Sequence, residues 1–279
     1  MAVVAFGSVR SCGVTTTALA VSATWPADRQ VLLIEADPAG GTLAAGSGWP
    51  AEPSLVSLAA AARRGFESEL VWAHIHQLPG DAPVLAGPVA ADQARSALGM
   101  LRDLPGRLGE LDADVLVDCG RLDSGSPSLE VWERADRQIL VVRPQLVDLH
   151  ALAAWTETRP LDQGRVRLVT VGGGAYPDSE IAEALGIEVL ARVPWDPDAA
   201  GLLTSVPATA RQVRVAPLVR AARSLAERLA AQLAETPPAS STAAPAGLSS
   251  QPRRRVLRGW WAEEEAPSAN GAAPEEVIR

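Results

Sequence analysis

No lysine occurs in this chain of 279 residues, so all 25 of its Lys/Arg positions are arginine. Any site whose working residue is lysine must therefore manage without it. Arginine throughout, with abundant alanine and glycine, reflects codon supply in a GC-rich genome and not mechanism. Aromatic residues make up only 4%, and eight of them are Trp against two Phe and one Tyr, so the core is read as aliphatic. Two cysteines do not make the disulfide framework of a secreted domain. No apolar run approaches the roughly 18–20 residues that span a bilayer. The N-terminus has no basic segment ahead of a long apolar one, so no signal peptide is expected and the chain is read as cytoplasmic. A net charge of −8 argues against a nucleic-acid binder that uses its whole surface, and leaves DNA contact through a local basic patch open.

What is present is alternation. Short, nearly continuous apolar runs at 3–6, 31–35, 83–86, 115–118, 138–142, 166–171 and 188–192 read as strands buried on both faces. Helix-like segments lie between and after them, at 16–24, 55–63, 91–104, 129–135, 147–157, 178–185 and 215–233. That order predicts an α/β domain over residues 1–235 with a doubly wound, mostly parallel sheet. Residues 236–252 are a Pro/Ala/Ser linker, and 253–279 read as a disordered tail. The tail carries Arg253, Arg254, Arg255, Val256, Leu257, Arg258, Gly259, Trp260 and Trp261, followed by Glu263, Glu264 and Glu265. An inert tail, a partner-binding motif and a membrane contact are the readings of that motif, in that order; the glutamates oppose membrane attraction.

The first strand runs into Gly7-Ser8-Val9-Arg10-Ser11-Cys12-Gly13-Val14-Thr15-Thr16-Thr17 and then a helix. Strand, small-residue loop, threonines and helix are the layout of a phosphate-binding loop. Val14 holds the lysine position, Thr15 the position of the Mg²⁺-binding hydroxyl, and Ser8 the leading glycine. The second strand ends in Glu35-Ala36-Asp37-Pro38-Ala39-Gly40, and the fourth in Asp118-Cys119-Gly120. Parallel strands share one carboxyl edge, so the loop, Asp37 and Asp118 should converge there. Two carboxylates and a hydroxyl are hard oxygen donors suited to Mg²⁺. Taken singly, Thr15, Thr16 and Thr17 read as a helix cap, Asp37 as a turn residue and Asp118 as a strand-end acid.

Together these residues resemble the ParA/MinD family of P-loop ATPases, whose deviant Walker A loop reads K-G-G-V-G-K-T-T. Here that stretch is Val9-Arg10-Ser11-Cys12-Gly13-Val14-Thr15-Thr16, and only Gly13, Thr15 and Thr16 match. Asp37 falls on the family's switch I aspartate and Asp118 on its Walker B aspartate, without the usual D-x-P-P continuation. Pro194 resembles the late I-P segment near the adenine. The resemblance implies a P-loop NTPase fold, and ATP or ADP with Mg²⁺ held by Arg10, Ser11, Cys12, Gly13, Thr15, Thr16 and Pro194. It assigns the metal to Thr15, Asp37 and Asp118, and any hydrolysis to Asp37 and Asp118. Val14 and Val9 lack the family's two lysines, so weak binding and little or no hydrolysis are expected. The degenerate loop is similar to those of septum-site-determining and TadZ/CpaE pilus-positioning proteins. It implies a scaffold with protein partners in division, polar or pilus machinery, and a homodimer as one assembly. The competing readings are an ATP-driven partitioning switch and a regulator that uses the pocket for another ligand.

Three features stand outside that scheme. Cys12 and Cys119 each follow a strand end, so a redox or metal-binding thiol pair is set against two small buried residues. His74 and His76 lack a third ligand nearby and read as a surface pair. His150 has no nucleophile beside it, and Gly172-Gly173-Gly174 reads as a loop.

Overall fold

The computed structural model describes residues 1–78, 82–101, 104–204 and 215–235. The expectations for the linker and the Arg/Trp tail fall outside the described residues. The strands are β1 (Val3–Ser8), β2 (Val31–Glu35), β3 (His76–Gln77), β4 (Pro83–Leu85), β5 (Asp114–Arg121), β6 (Arg137–Val142), β7 (Val166–Val171) and β8 (Val189–Val193). They form one sheet in the order β3-β4-β2-β5-β1-β6-β7-β8. Every neighbouring pair is parallel except the edge pair β3–β4. This is the expected doubly wound α/β architecture.

Successive side chains of a strand point to opposite faces, and the central strands are apolar on both. Val3, Ala5, Val115, Val117 and Cys119 enter one core, whereas Val4, Phe6, Leu33 and Leu116 enter the other. The first core is covered by α3 (Leu55–Ala62), α5 (Ala91–Met100), α7 (Leu129–Arg134), α8 (Leu146–Glu157) and α9 (Asp178–Leu185). The second is covered by α1 (Val14–Ser22), α10 (Pro197–Thr204) and α11 (Pro217–Glu235). In α11, Leu218, Ala222, Leu225, Leu229 and Leu233 recur at helical spacing and are all buried. The leucine face of this helix is therefore core rather than a docking surface.

Several elements were not expected. The short helices α2 (Leu43–Ser47), α4 (Ser68–Trp72) and α6 (Leu104–Arg107) are too brief to show a period. Helix α5 stops at Met100, short of the expected 104, because Leu101 leaves the helical region at φ −92° and ψ 36°. β3 recruits His76, which is half-buried instead of lying on the surface. Its Nε2 lies 2.7 Å from the Pro53 carbonyl, and its ring stacks on Trp49 at 4.7 Å. His74 Nδ1 lies 2.7 Å from the Leu70 carbonyl. Among the described residues no group of three or more His, Cys, Asp or Glu could hold a metal on its own. Two tryptophans pack in the first core: Trp132 and Trp155 meet edge to face at 5.6 Å, and Trp155 Nε1 donates to the Leu122 carbonyl.

At the amino end of β5 a buried carboxylate ties four segments together. Asp114 accepts from the Arg29 guanidinium, from Trp25 Nε1 at 3.1 Å and from the Ala2 amide at 3.1 Å. Burial alone would raise its pKa, but the hydrogen bonds from Arg29 and Trp25 and the Arg29 charge hold it below the usual range. Its contribution to stability is therefore present above the unfolded aspartate value of about 4 and is lost as pH falls through the lower folded value. Asp114→Ala should cost roughly 3 kcal/mol, since it strands buried donors. Urea unfolding at pH 7 measures this, and a cost under about 1 kcal/mol would show that the network is replaceable.

Candidate nucleotide site

The carboxyl edge of the sheet gathers the predicted residues. β1 and β5 pair in parallel with Phe6 opposite Asp118 and Ser8 opposite Arg121. After β1 the chain turns to Gly13, which sits at φ +91° just before α1. That left-handed conformation suits glycine, and no side chain caps the helix. The amides at the start of α1 thus have no side-chain acceptor, which is the arrangement that attracts an anion. The threonines do not cap: Thr17 is buried and its hydroxyl donates back to the Gly13 carbonyl at 2.8 Å. Val14, in the lysine position, is buried among the apolar residues of the second core.

Asp118 is fully buried beside the loop. One carboxylate oxygen accepts the Gly120 amide at 2.9 Å, and the other has no hydrogen-bond partner. Burial pushes its pKa up to about 7, against the Thr15 hydroxyl and the Gly120 amide, which favour the ionised form; nearby Glu35 and Asp37 push it up further. Asp37 stands next to it. Its Oδ1 accepts the Ala39 amide at 2.7 Å, and burial raises its pKa despite that bond and the charge of Arg121. A Cβ on Gly120 would come within 2.1 Å of the Asp37 carboxyl, and Gly120 has φ +58°. Glycine at this position therefore lets the two acids approach.

An orphaned buried carboxylate oxygen, a second acid and a facing hydroxyl fit a hard divalent cation. With only these protein donors, such an ion would complete its shell with water or phosphate oxygens, as Mg²⁺ commonly does. The structure places Thr15, Asp37 and Asp118 next to one another at this edge.

The remaining predicted residues divide. Ser11 is exposed on the loop, where its hydroxyl accepts from Arg121 Nη2 at 3.0 Å. Thr16 and Pro194 line a cleft of about 180 Å³ with Gly13, Thr17, Val193 and Trp195. That volume is below the roughly 300 Å³ of ordinary ligand pockets, so the cleft suits a planar ring better than a whole nucleotide. Trp195 is 61% exposed at its mouth. Arg10 is half-exposed and forms an ion pair: its Nε lies 3.4 Å from Asp148, which also binds Arg143 Nε at 2.8 Å. Cys12 donates to the Val141 carbonyl at 3.0 Å, and burial, partly offset by Ser8, pushes its thiol up to about 11. The thiol pair is corrected by the sheet itself. Cys12 packs in the second core and Cys119 in the first, on opposite faces. Gly174 packs against the Pro144 carbonyl, which makes the glycine run a loop held by close contact.

Glu35 and Arg121 were not singled out from the sequence. Glu35 is buried, and its carboxylate accepts the amides of Thr42 (2.6 Å), Leu43 (3.1 Å) and Gly87 (3.0 Å). It clamps the loop that carries Asp37 to the sheet edge. The Glu-x-Asp spacing, with the next polar strand-end residue two places on, was the available signal.

These features define a doubly wound α/β fold of the P-loop NTPase type. No protein-family model matches the chain, and no curated protein matches it. Solved structures do, across most of its length. A ParA family ATPase from Chlorobium tepidum aligns with a TM-score of 0.67 and 18% identity, covering 82% of this chain and 98% of that one. MinD from Pyrococcus horikoshii, complexed with Mg-ADP, aligns at 0.63 and 18%, covering 82% and 95%. The MinC:MinD cell division complex of Aquifex aeolicus aligns at 0.55 and 15%, covering 87% and 100%. The fold is that of the ParA/MinD ATPases.

Two outcomes follow from the buried groups. Because the folded Asp118 value lies above the unfolded one, the folded chain holds an extra proton between about pH 4 and 7, and stability falls as pH rises through that window. In chelator-containing buffer, Asp118→Asn should leave the melting temperature nearly unchanged at pH 5 and raise it by several degrees at pH 8. Equal shifts at both pH values would mean that the acid is ionised throughout. Mild oxidation of the native protein should leave both thiols titratable after unfolding; loss of two thiols without a change in mass from dimerisation would place them in contact.

Proposed function

We propose that this chain is a ParA/MinD-like positioning or scaffold protein that binds ATP or ADP with Mg²⁺ weakly and hydrolyses little or none. Its work would lie in holding protein partners of the septum, cell pole or pilus machinery in place, as a monomer or homodimer. The observation that carries this reading is the fate of the cations at the loop. Val14 puts a buried apolar side chain in the lysine position, and Arg10 is paired with Asp148 at 3.4 Å. Phosphoryl transfer relies on fixed positive charge around the phosphates, so turnover suffers more than binding. The uncapped start of α1 supports residual binding, and Thr15, Asp37 and Asp118 would hold the metal. Asp37 and Asp118 would serve hydrolysis in the rival reading, an ATP-driven partitioning switch. No helix among the described residues is long and apolar enough to cross a membrane.

The test is a titration of the full chain with ribose-labelled fluorescent ATP, with and without Mg²⁺, beside Thr15→Ala and Val14→Lys. Expected are weak, Mg²⁺-dependent binding that Thr15→Ala abolishes, no turnover above background, and binding about tenfold tighter in Val14→Lys. Tight binding with Mg²⁺-dependent turnover in the natural chain would instead establish the active switch. Binding insensitive to Mg²⁺ and to Thr15→Ala would mean that the pocket serves another ligand.

A further inference from the structure

We propose that Arg121 supplies, from the end of β5, the phosphate-binding positive charge that Val14 cannot supply from the loop. The inference rests on the nucleotide reading above. Three observations place the guanidinium at the phosphate side of the site. The β1–β5 register sets Arg121 opposite Ser8, where the loop begins. Arg121 Nη2 donates to Ser11 Oγ at 3.0 Å, so the side chain lies across the loop. Its charge is also felt by Asp37, whose ionised form it favours. The residue is exposed, so the guanidinium meets an incoming anion without first losing a buried partner.

The electrostatics require such a group. Glu35, Asp37 and Asp118 bring three carboxyl groups to one strand edge. A polyphosphate approaching them meets repulsion unless a cation intervenes. A divalent ion held by Thr15, Asp37 and Asp118 would relieve part of that repulsion, and the remaining charge would come from a side chain. Arg10 is held 3.4 Å from Asp148, and Arg143 is bound to the same acid at 2.8 Å. Arg121 has only a neutral hydroxyl as its hydrogen-bond partner at the loop. Its planar fork can exchange that hydroxyl for two phosphate oxygens, a geometry that lysine does not offer.

The experiment compares the full chain with Arg121→Ala, Arg121→Lys and Arg121→Gln, using ribose-labelled ATP and labelled adenosine at two salt concentrations. Arg121→Ala should weaken ATP binding about tenfold or more and flatten its salt dependence, with adenosine binding and melting temperature unchanged. Arg121→Lys should recover part of the loss. Arg121→Gln keeps an N–H donor for the Ser11 hydroxyl but loses the charge, so it should bind ATP as weakly as Arg121→Ala. ATP binding restored by Arg121→Gln would overturn the proposal, because Arg121 would then only order the loop. ATP binding unaffected by Arg121→Ala would overturn it alone, whereas a natural chain that takes up no ATP would overturn the nucleotide reading along with it.

Discussion

The parallel pairing of β1 with β5 is the constraint on which the rest of the molecule depends. Both strands lie at the middle of the sheet, and their apolar side chains enter both cores. That burial fixes the register, since a slip of one residue would turn every core side chain to the wrong face. The register in turn decides the chemistry. Phe6 opposite Asp118 places the acid beside the last buried turn of β1, and the irregularity between Phe6 and Ser8 lets β5 continue to Arg121. Leu122 then closes the gap: its amide donates to the Ser8 carbonyl, and its side chain fills the space where Gly7 lacks a Cβ. A larger residue at position 7 would push β5 away and take Asp118 and Arg121 with it.

That pairing concentrates negative charge at one edge. Glu35 accepts three backbone amides and so works as a brace, although burial outweighs them and keeps its pKa raised. Asp118 has a single amide and an unpartnered oxygen, which leaves its ionisation near neutrality dependent on what else arrives. A cation bound there favours the carboxylate, and the carboxylate favours the cation, so metal affinity and proton release are coupled. Among the groups at this edge, Val14 is apolar and buried, so any positive charge there must come from an arginine or from a bound cation.

Much of this was legible in the sequence. The seven expected strands form because each is a nearly continuous apolar run, and the central ones β1, β2, β5 and β6 are buried on both faces, which is a strong signal. Asp37, Asp118 and Thr15 were legible because parallel strands must end on one edge. β3 was missed because two residues show no period, and its partner geometry is set by Trp49 and Pro53 from elsewhere in the chain. α10 carried a readable start, with Asp196 accepting the Ala199 amide at 3.0 Å and Pro197 in the first turn. The position of Arg121 was not readable, since it depends on a strand running past its apolar segment through Cys119 and Gly120. The separation of Cys12 from Cys119 was equally hidden: both were expected just past strand ends, but Cys119 lies inside β5, whose alternation sends it to one face, while the loop's path sends Cys12 to the other.

Whether nucleotide can act as a signal here is a question of magnitude. A ligand shifts a conformational equilibrium only by its differential affinity for the two states. At a concentration equal to its Kd, a ligand stabilises the state it prefers by only about 0.4 kcal/mol; at a hundredfold excess the figure is about 2.7 kcal/mol. A loop that keeps its amides and its metal donors but loses its lysine moves the site toward the first regime. Recovering one well-placed guanidinium is worth about a factor of ten or more, which is the interval between a ligand that biases a scaffold and one that barely registers. On the proposed reading, the strand register that carries Arg121 to the loop would bear on signalling as well as on folding, because the response to nucleotide would scale with the charge that this one side chain supplies.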